Sequence, residues 1–266
     1  IEISVAFDSE KFDKFDRKRF PKVVYAGMME YDGDLHIPSK YLVNPPRIER
    51  SMTEYLSAAK VTQYAISETQ KFGHVTYFWN GNRSGKFDDA LETYEEVPSD
   101  RVPFDQRPWM KAAEITDKAI EAVKSGKYRS IRLNLANGDM VGHTGIFQAA
   151  VIAAETVDLC LARLLPVVKA AGGIAILTAD HGNLDEMFEL DKKGNPKIDK
   201  KTGEFEKKTA HTLNPVPFVI YDPEYKGEYT LGGPADAGLG NVASTVLNLL
   251  GFEAPSDYLP SLVSFK

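Results

Sequence analysis

The chain has 266 residues, 43% apolar and 26% charged, with a formal net charge of −6; this is a globular composition with length enough for a sizeable core. No apolar run approaches the ~20 residues of a membrane span, and the acidic balance argues against nucleic acid as the main partner, since backbone-binding surfaces are basic. Cys160 is the single cysteine, which excludes a disulfide framework and a thiolate metal cluster within the chain and suits a reducing compartment.

The sequence opens on IEISVAFDSE, inside a periodic segment, with no initial Met and no signal or transit pattern; this reads as a start within a larger fold. Residues 9–18 are charged and predict a helix, Val23–Met28 predicts a short strand after Pro21, and YDGD at 31–34 predicts a turn. VNPP at 43–46 is a Pro-rich joint that reads as a hinge. Beyond it, Ile48–Ala59 predicts a helix, and Gln63–Ser67 and Val75–Trp79 predict strands, with a polar glycine loop at 80–85. Met110–Lys124 predicts a helix stopped by Ser125-Gly126, and Ser130–Leu135 a strand. Ile146–Ala170 predicts a long helix closed by Gly172-Gly173, Ile174–Thr178 and Phe218–Tyr221 predict strands, and Val242–Leu250 a helix ended by Gly251. Strands alternating with helices imply βαβ units and an α/β fold with a mostly parallel sheet and helices on both faces. The lysine-rich stretch 190–208 interrupts the rhythm and reads as a solvated excursion, a hairpin in form.

Five residues of metal-ligand type fall at element ends. Asp139 and His143 follow the strand Ser130–Leu135, Asp180 and His181 follow Ile174–Thr178, and His211 precedes Phe218–Tyr221. Ligands in open α/β sheets bind beyond the carboxyl ends of strands. Carboxylate and imidazole without sulfur suit Mn²⁺, Zn²⁺, Co²⁺ or Mg²⁺. Five such groups exceed the three protein ligands of one catalytic metal and approach what two metals need. The bland readings stand beside these: a strand-end His can donate to a backbone carbonyl, and Asp139 can cap a helix. On spacing alone Lys71 and Arg83 read as surface cations. His36 lies in a turn-rich arm, and His74 precedes an apolar run.

The motifs NGDMVGHTG (137–145), TADHGN (178–183) and TAHTLNPVPF (209–218), in this order, together with SETQKFGHVTYFWNG (67–81), resemble the cofactor-independent (2,3-bisphosphoglycerate-independent) phosphoglycerate mutases, in wording closest to their plant and trypanosomatid branch. The resemblance implies an alkaline-phosphatase-like fold in which an inserted α/β transferase domain interrupts the phosphatase domain. Residues 1–43 would then be the end of the transferase domain, 44–47 the hinge, and 48–266 the later part of the phosphatase domain. It implies interconversion of 3-phosphoglycerate and 2-phosphoglycerate through a phosphoserine, without 2,3-bisphosphoglycerate, by a cytoplasmic protein that is monomeric when complete. It also implies two divalent ions, Mn²⁺ first, with Co²⁺ or Mg²⁺ in some members. Asp139, His143 and His211 would hold one ion and Asp180 and His181 the other, five of the family's seven ligand positions. Lys71 would sit by the phosphate and the nucleophile. That serine lies upstream of this chain in the family pattern; neither Ser67 nor Ser84 stands in its motif, so the segment alone is expected to be inactive. Other metal-dependent phosphatases or phosphopentomutases of the superfamily, and a catalytically dead scaffold, are the alternatives.

Overall fold

The computed structural model describes residues 2–31, 36–44, 46 and 48–266. Helix α1 (Glu2–Asp8) comes first. The predicted helix over 9–18 is coil, because the Arg17 guanidinium turns back and donates to the carbonyls of Ala6, Ser9 and Glu10, taking the place a continuing helical turn would occupy. Its plane also rests on the rings of Phe12 and Phe20. The predicted strand Val23–Met28 is coil, with one isolated bridge, Gly27 to Tyr41, among the described residues. Most of the predicted turn at 31–34, and Pro45 and Arg47 of the predicted hinge, lie outside the described residues.

Helix α2 (Met52–Ala58) starts after Ser51, later than expected, because Arg50 is held at positive φ. Strand β1 (Gln63–Glu68) is buried throughout and central to a three-stranded parallel sheet, flanked by β2 (Glu92–Val97) and β3 (Ser130–Leu133). Helix α4 (Ala112–Lys124) covers one face. Its buried Ala112, Ile115, Ala119 and Ala122 recur at helical spacing, and Ile115 packs with Tyr64, Ile66, Ile131 and Leu133 of the strands. Helix α2 lies on the other face, where Ser57 meets Gln63 and Glu92.

Two expectations fail here. Val75–Trp79 is not a strand: helix α3 (Thr69–Val75) runs through its start, burying Lys71 and Val75 four residues apart on one side, and irregular turns follow. Strand β2 was not expected at all. Its sequence ETYEEV hides a buried acid, Glu92, which is made tolerable by the backbone N–H groups of Phe87 (2.7 Å) and Asp88 (2.9 Å) and the Ser57 hydroxyl (3.2 Å).

After β3 come α5 (Asn137–Gly142) and the long α6 (Phe147–Ala170), packed together through Val141, Ala149 and Ala153. Strand β4 (Ala175–Thr178) then pairs antiparallel with β5 (Phe218–Tyr221), Thr178 opposite Phe218. The described sheet is therefore less uniformly parallel than expected. Strands β6 (Tyr229–Leu231) and β7 (Val263–Phe265) form a separate antiparallel pair on either side of α7 (Val242–Leu249), which packs Leu247 against Met52 and Leu56. The excursion at 190–208 folds back on itself through bridges Phe188 to Lys207, Leu190 to Pro196 and Ile198 to Phe205. Among the described residues no helix is long and apolar enough to cross a membrane.

Candidate metal centre

Three strands deliver candidate site residues from their carboxyl ends. The end of β1 leads into α3 and Lys71, the end of β3 into α5 and Asp139, and the end of β4 into Asp180 and His181. His211 reaches the same edge from the opposite chain direction, because β5 runs antiparallel to β4 and so begins where β4 ends. The backbone N–H of Thr212 seals this by donating to the Gly182 carbonyl at 3.0 Å.

Asp139 on α5 and His143, its C-cap, stand four residues apart on one side of the turn, with His143 Nε2 3.0 Å from Asp139 Oδ1. His211 Nε2 lies 2.8 Å from the same oxygen and 3.0 Å from His143 Nε2. His181 Nε2 is 3.8 Å from that oxygen, and its ring stacks on that of His211 with centroids 3.6 Å apart. His143 Nδ1 is 2.6 Å from the carbonyl of Thr209, which can only accept, so Nδ1 carries a proton and Nε2 is the ring nitrogen turned to the cluster. Asp139, His143 and His211 each offer one donor atom, all within 4.8 Å of one another. Two nitrogens and a carboxylate oxygen gathered this closely fit a borderline divalent cation.

Lys71 is buried, and its Nζ lies 2.5 Å from Asp139 Oδ2. Burial alone would raise the Asp139 carboxyl, but the Lys71 ammonium, then the Asn183 amide and His143, outweigh it and lower the pKa to about 2. Burial and then Lys71 also pull down His74, one turn further along α3; its ring leans on Phe78. Asp180 is about half exposed, with Oδ2 3.5 Å from His181 Nε2. The structure thus gathers Asp139, His143, His181, His211 and Lys71 tightly and leaves Asp180 at the rim. His36 is elsewhere, bonded to Glu30 at 2.9 Å, and Arg83 lies over the Phe87 ring.

A family model described as the metalloenzyme superfamily matches residues 18–254. The chain belongs to this superfamily. The α/β architecture with its parallel sheet is that of the alkaline-phosphatase-like group to which the superfamily corresponds. Among relatives, the 2,3-bisphosphoglycerate-independent phosphoglycerate mutase of Trypanosoma brucei brucei is 55% identical over 99% of this chain and 48% of that protein. The corresponding mutase of Mesembryanthemum crystallinum is 49% identical over 99% of this chain and 47% of its own length. A crystal structure of Leishmania mexicana phosphoglycerate mutase, at low cobalt concentration, superposes with a TM-score of 0.94 at 53% identity, covering 99% of this chain and 48% of that one. The chain spans about half the length of the curated relatives it matches.

Three residues that sequence reasoning did not single out also belong to this region of the metalloenzyme fold. Asn183 donates to both the carbonyl and Oδ1 of Asp139 at 3.2 Å. Asp185 receives the Thr212 hydroxyl at 2.8 Å. Asn183 closes the TADHGN motif, so its presence was visible. The Asp185–Thr212 pairing, 27 residues apart, had no signal in the sequence.

Proposed function

We propose that this chain is the metal-binding half of a cofactor-independent phosphoglycerate mutase, an isomerase interconverting 3-phosphoglycerate and 2-phosphoglycerate in the cytoplasm. The observation that carries this reading is the meeting of three imidazoles and one carboxylate oxygen beside a buried lysine. Asp139, His143 and His211 are assigned to one divalent ion, and Asp180 and His181 to a second. Mn²⁺ is the first choice, with Co²⁺ or Mg²⁺ as substitutes, and 2,3-bisphosphoglycerate has no role. Bound ions would supply Lewis-acid chemistry, acidifying an attacking hydroxyl and offsetting phosphoryl charge.

The protein's own groups prepare for this. The Thr209 carbonyl fixes the His143 tautomer with Nε2 free to ligate. Asp139 keeps its charge far below neutral pH. Lys71 has three N–H donors and Asp139 engages one side of it, so the remainder can meet the oxygens of a phosphoryl group. The serine that takes the phosphoryl group is assigned to the part of the relatives' length that this chain does not span. Exposed Phe147, Val151, Ile152 and Leu159 on α6 and Val219 on β5 favour further structure packed over these elements. Residues 1–43 are assigned to the substrate-binding domain, 44–47 to the hinge and 48–266 to the metal-binding domain of a monomer.

The test joins this chain to the remaining half of a trypanosomatid relative and follows conversion of 3-phosphoglycerate with Mn²⁺ or Co²⁺. The joined protein is expected to isomerise and the 266-residue chain alone to bind metal without turnover. Hydrolysis of generic phosphomonoesters without isomerisation would move the assignment to a phosphatase. Turnover by the chain alone would sink the division of labour.

A further inference from the structure

Three separate segments deliver the candidate ligands: α5, the loop after β4, and the loop before β5. His211 is nearly half exposed; its ring stacks on His181 and tilts against His143, and these contacts lie within the cluster itself. Behind the cluster, however, lies a second layer of polar contacts. Asp185 Oδ2 accepts from Thr212 Oγ1 at 2.8 Å and from Asn214 Nδ2 at 2.6 Å, tying the residue next to His211 to the loop that carries His181. On the other side Asn183, buried in the same loop, donates to Asp139 Oδ1 at 3.2 Å and so ties that loop to α5.

Two glycines make room for these contacts. A Cβ on Gly182 would lie 2.1 Å from Thr212 Oγ1 and 2.5 Å from Asp185 Oδ1. A Cβ on Gly142 would lie 2.1 Å from Asn183 Oδ1. Neither glycine has positive φ, so close approach, and not backbone freedom, is what each supplies. An outer ion pair of Lys208 with Glu186, at 2.8 Å, braces the same two loops.

We propose that Asp185, Thr212 and Asn183 are positioning residues for the metal centre, a polar clasp that sets His211 against the His181 loop and aims Asp139 at the shared point. This extends the reading of Asp139, His143 and His211 as metal ligands and depends on it. Partners of this kind orient ligands before the ion arrives, and their loss typically weakens metal affinity by about 10–100-fold.

The experiment titrates the purified protein with Co²⁺, reading the visible absorption of the bound ion for coordination and equilibrium dialysis for affinity. Thr212→Val removes the hydroxyl at nearly constant volume, and Thr212→Ser keeps it. Thr212→Val and Asp185→Asn are expected to weaken Co²⁺ binding by about 10–100-fold and to alter the absorption envelope. Thr212→Ser is expected to restore the parent's spectrum and affinity. Melting of each variant in EDTA separates a positioning role from a general structural one, since the clasp predicts a loss of metal affinity beyond any change in metal-free stability. If Thr212→Val does not fold, Asp185→Asn against the parent decides. Parent-like Co²⁺ binding by the folded variants would overturn the clasp alone. A parent that binds no Co²⁺ would overturn the metal-centre reading and the clasp with it.

Discussion

Lys71→Met removes one charge at nearly constant length, and the structure says what should follow in the metal-free protein. Asp139 is only 12% exposed, and burial by itself would raise its pKa. The Lys71 ammonium is the largest opposing influence, ahead of Asn183 and His143, and the result is a fall from 3.8 to about 2. A drop of that size corresponds to about 2 kcal/mol of stability. The carboxylate stays charged in the folded state down to about pH 2 but protonates near 3.8 when unfolded. Its contribution is therefore complete above about pH 4 and is lost as the pH falls through about 2. Without Lys71 the buried carboxylate has lost its main partner. The expected cost at pH 7 is at least about 2 kcal/mol, rising towards the ~3–5 kcal/mol seen when a buried pair is broken on one side.

Urea unfolding in EDTA measures this directly. The variant should unfold at lower urea at neutral pH, and its acid limb should begin at higher pH because native Asp139 now protonates earlier. Divalent metal binding should tighten, since a fixed positive charge has left the site, while binding of inorganic phosphate to the metal-loaded protein should weaken. Unchanged neutral stability together with an unmoved acid limb would refute the account of Asp139, and weaker metal binding would refute the electrostatic role of Lys71.

Asp139→Asn takes away the carboxylate oxygen on which His143, His181 and His211 converge, and dialysis should find Co²⁺ affinity reduced at least about 100-fold. Metal content measured from about pH 8 down to about pH 5 should fall, because His143, His181 and His211 must be neutral to ligate; a flat profile would count against imidazole ligation. Ile66→Ala, fully buried under α4, should cost about 2–5 kcal/mol in chemical denaturation while leaving Co²⁺ affinity of the folded protein unchanged. Gly81→Ala should destabilise the fold by roughly 1–3 kcal/mol, seen as a lower melting temperature, because φ is +74° there and the new Cβ would stand 2.5 Å from the Ile48 carbonyl oxygen.

Much of the site could be read along the chain. Asp139 lies on a short helix whose C-cap is His143, and Asp180 and His181 are neighbours, so local spacing already puts each pair at one element end. The apolar centre of β1, Tyr64–Ile66, and the helical period of α4 announce themselves because burial on a sheet face or a helix stripe leaves a simple pattern. At β2 the pattern failed. β2 carries Glu92 inside, satisfied by amides and a hydroxyl from elsewhere in the fold, and no local rule reveals such partners. At Val75–Trp79 a run rich in aromatic and β-branched residues suggested a strand, but the helix that buries Lys71 and Val75 on one side runs into its start, and turns follow. The antiparallel turn of β5 beside β4, which brings His211 to Asp139 across 72 residues, and the Asp185–Thr212 contact behind it were decided by tertiary structure alone. Residue types and local periodicity determine which ligands a chain owns; pairing energies between distant strands and loops determine where those ligands meet.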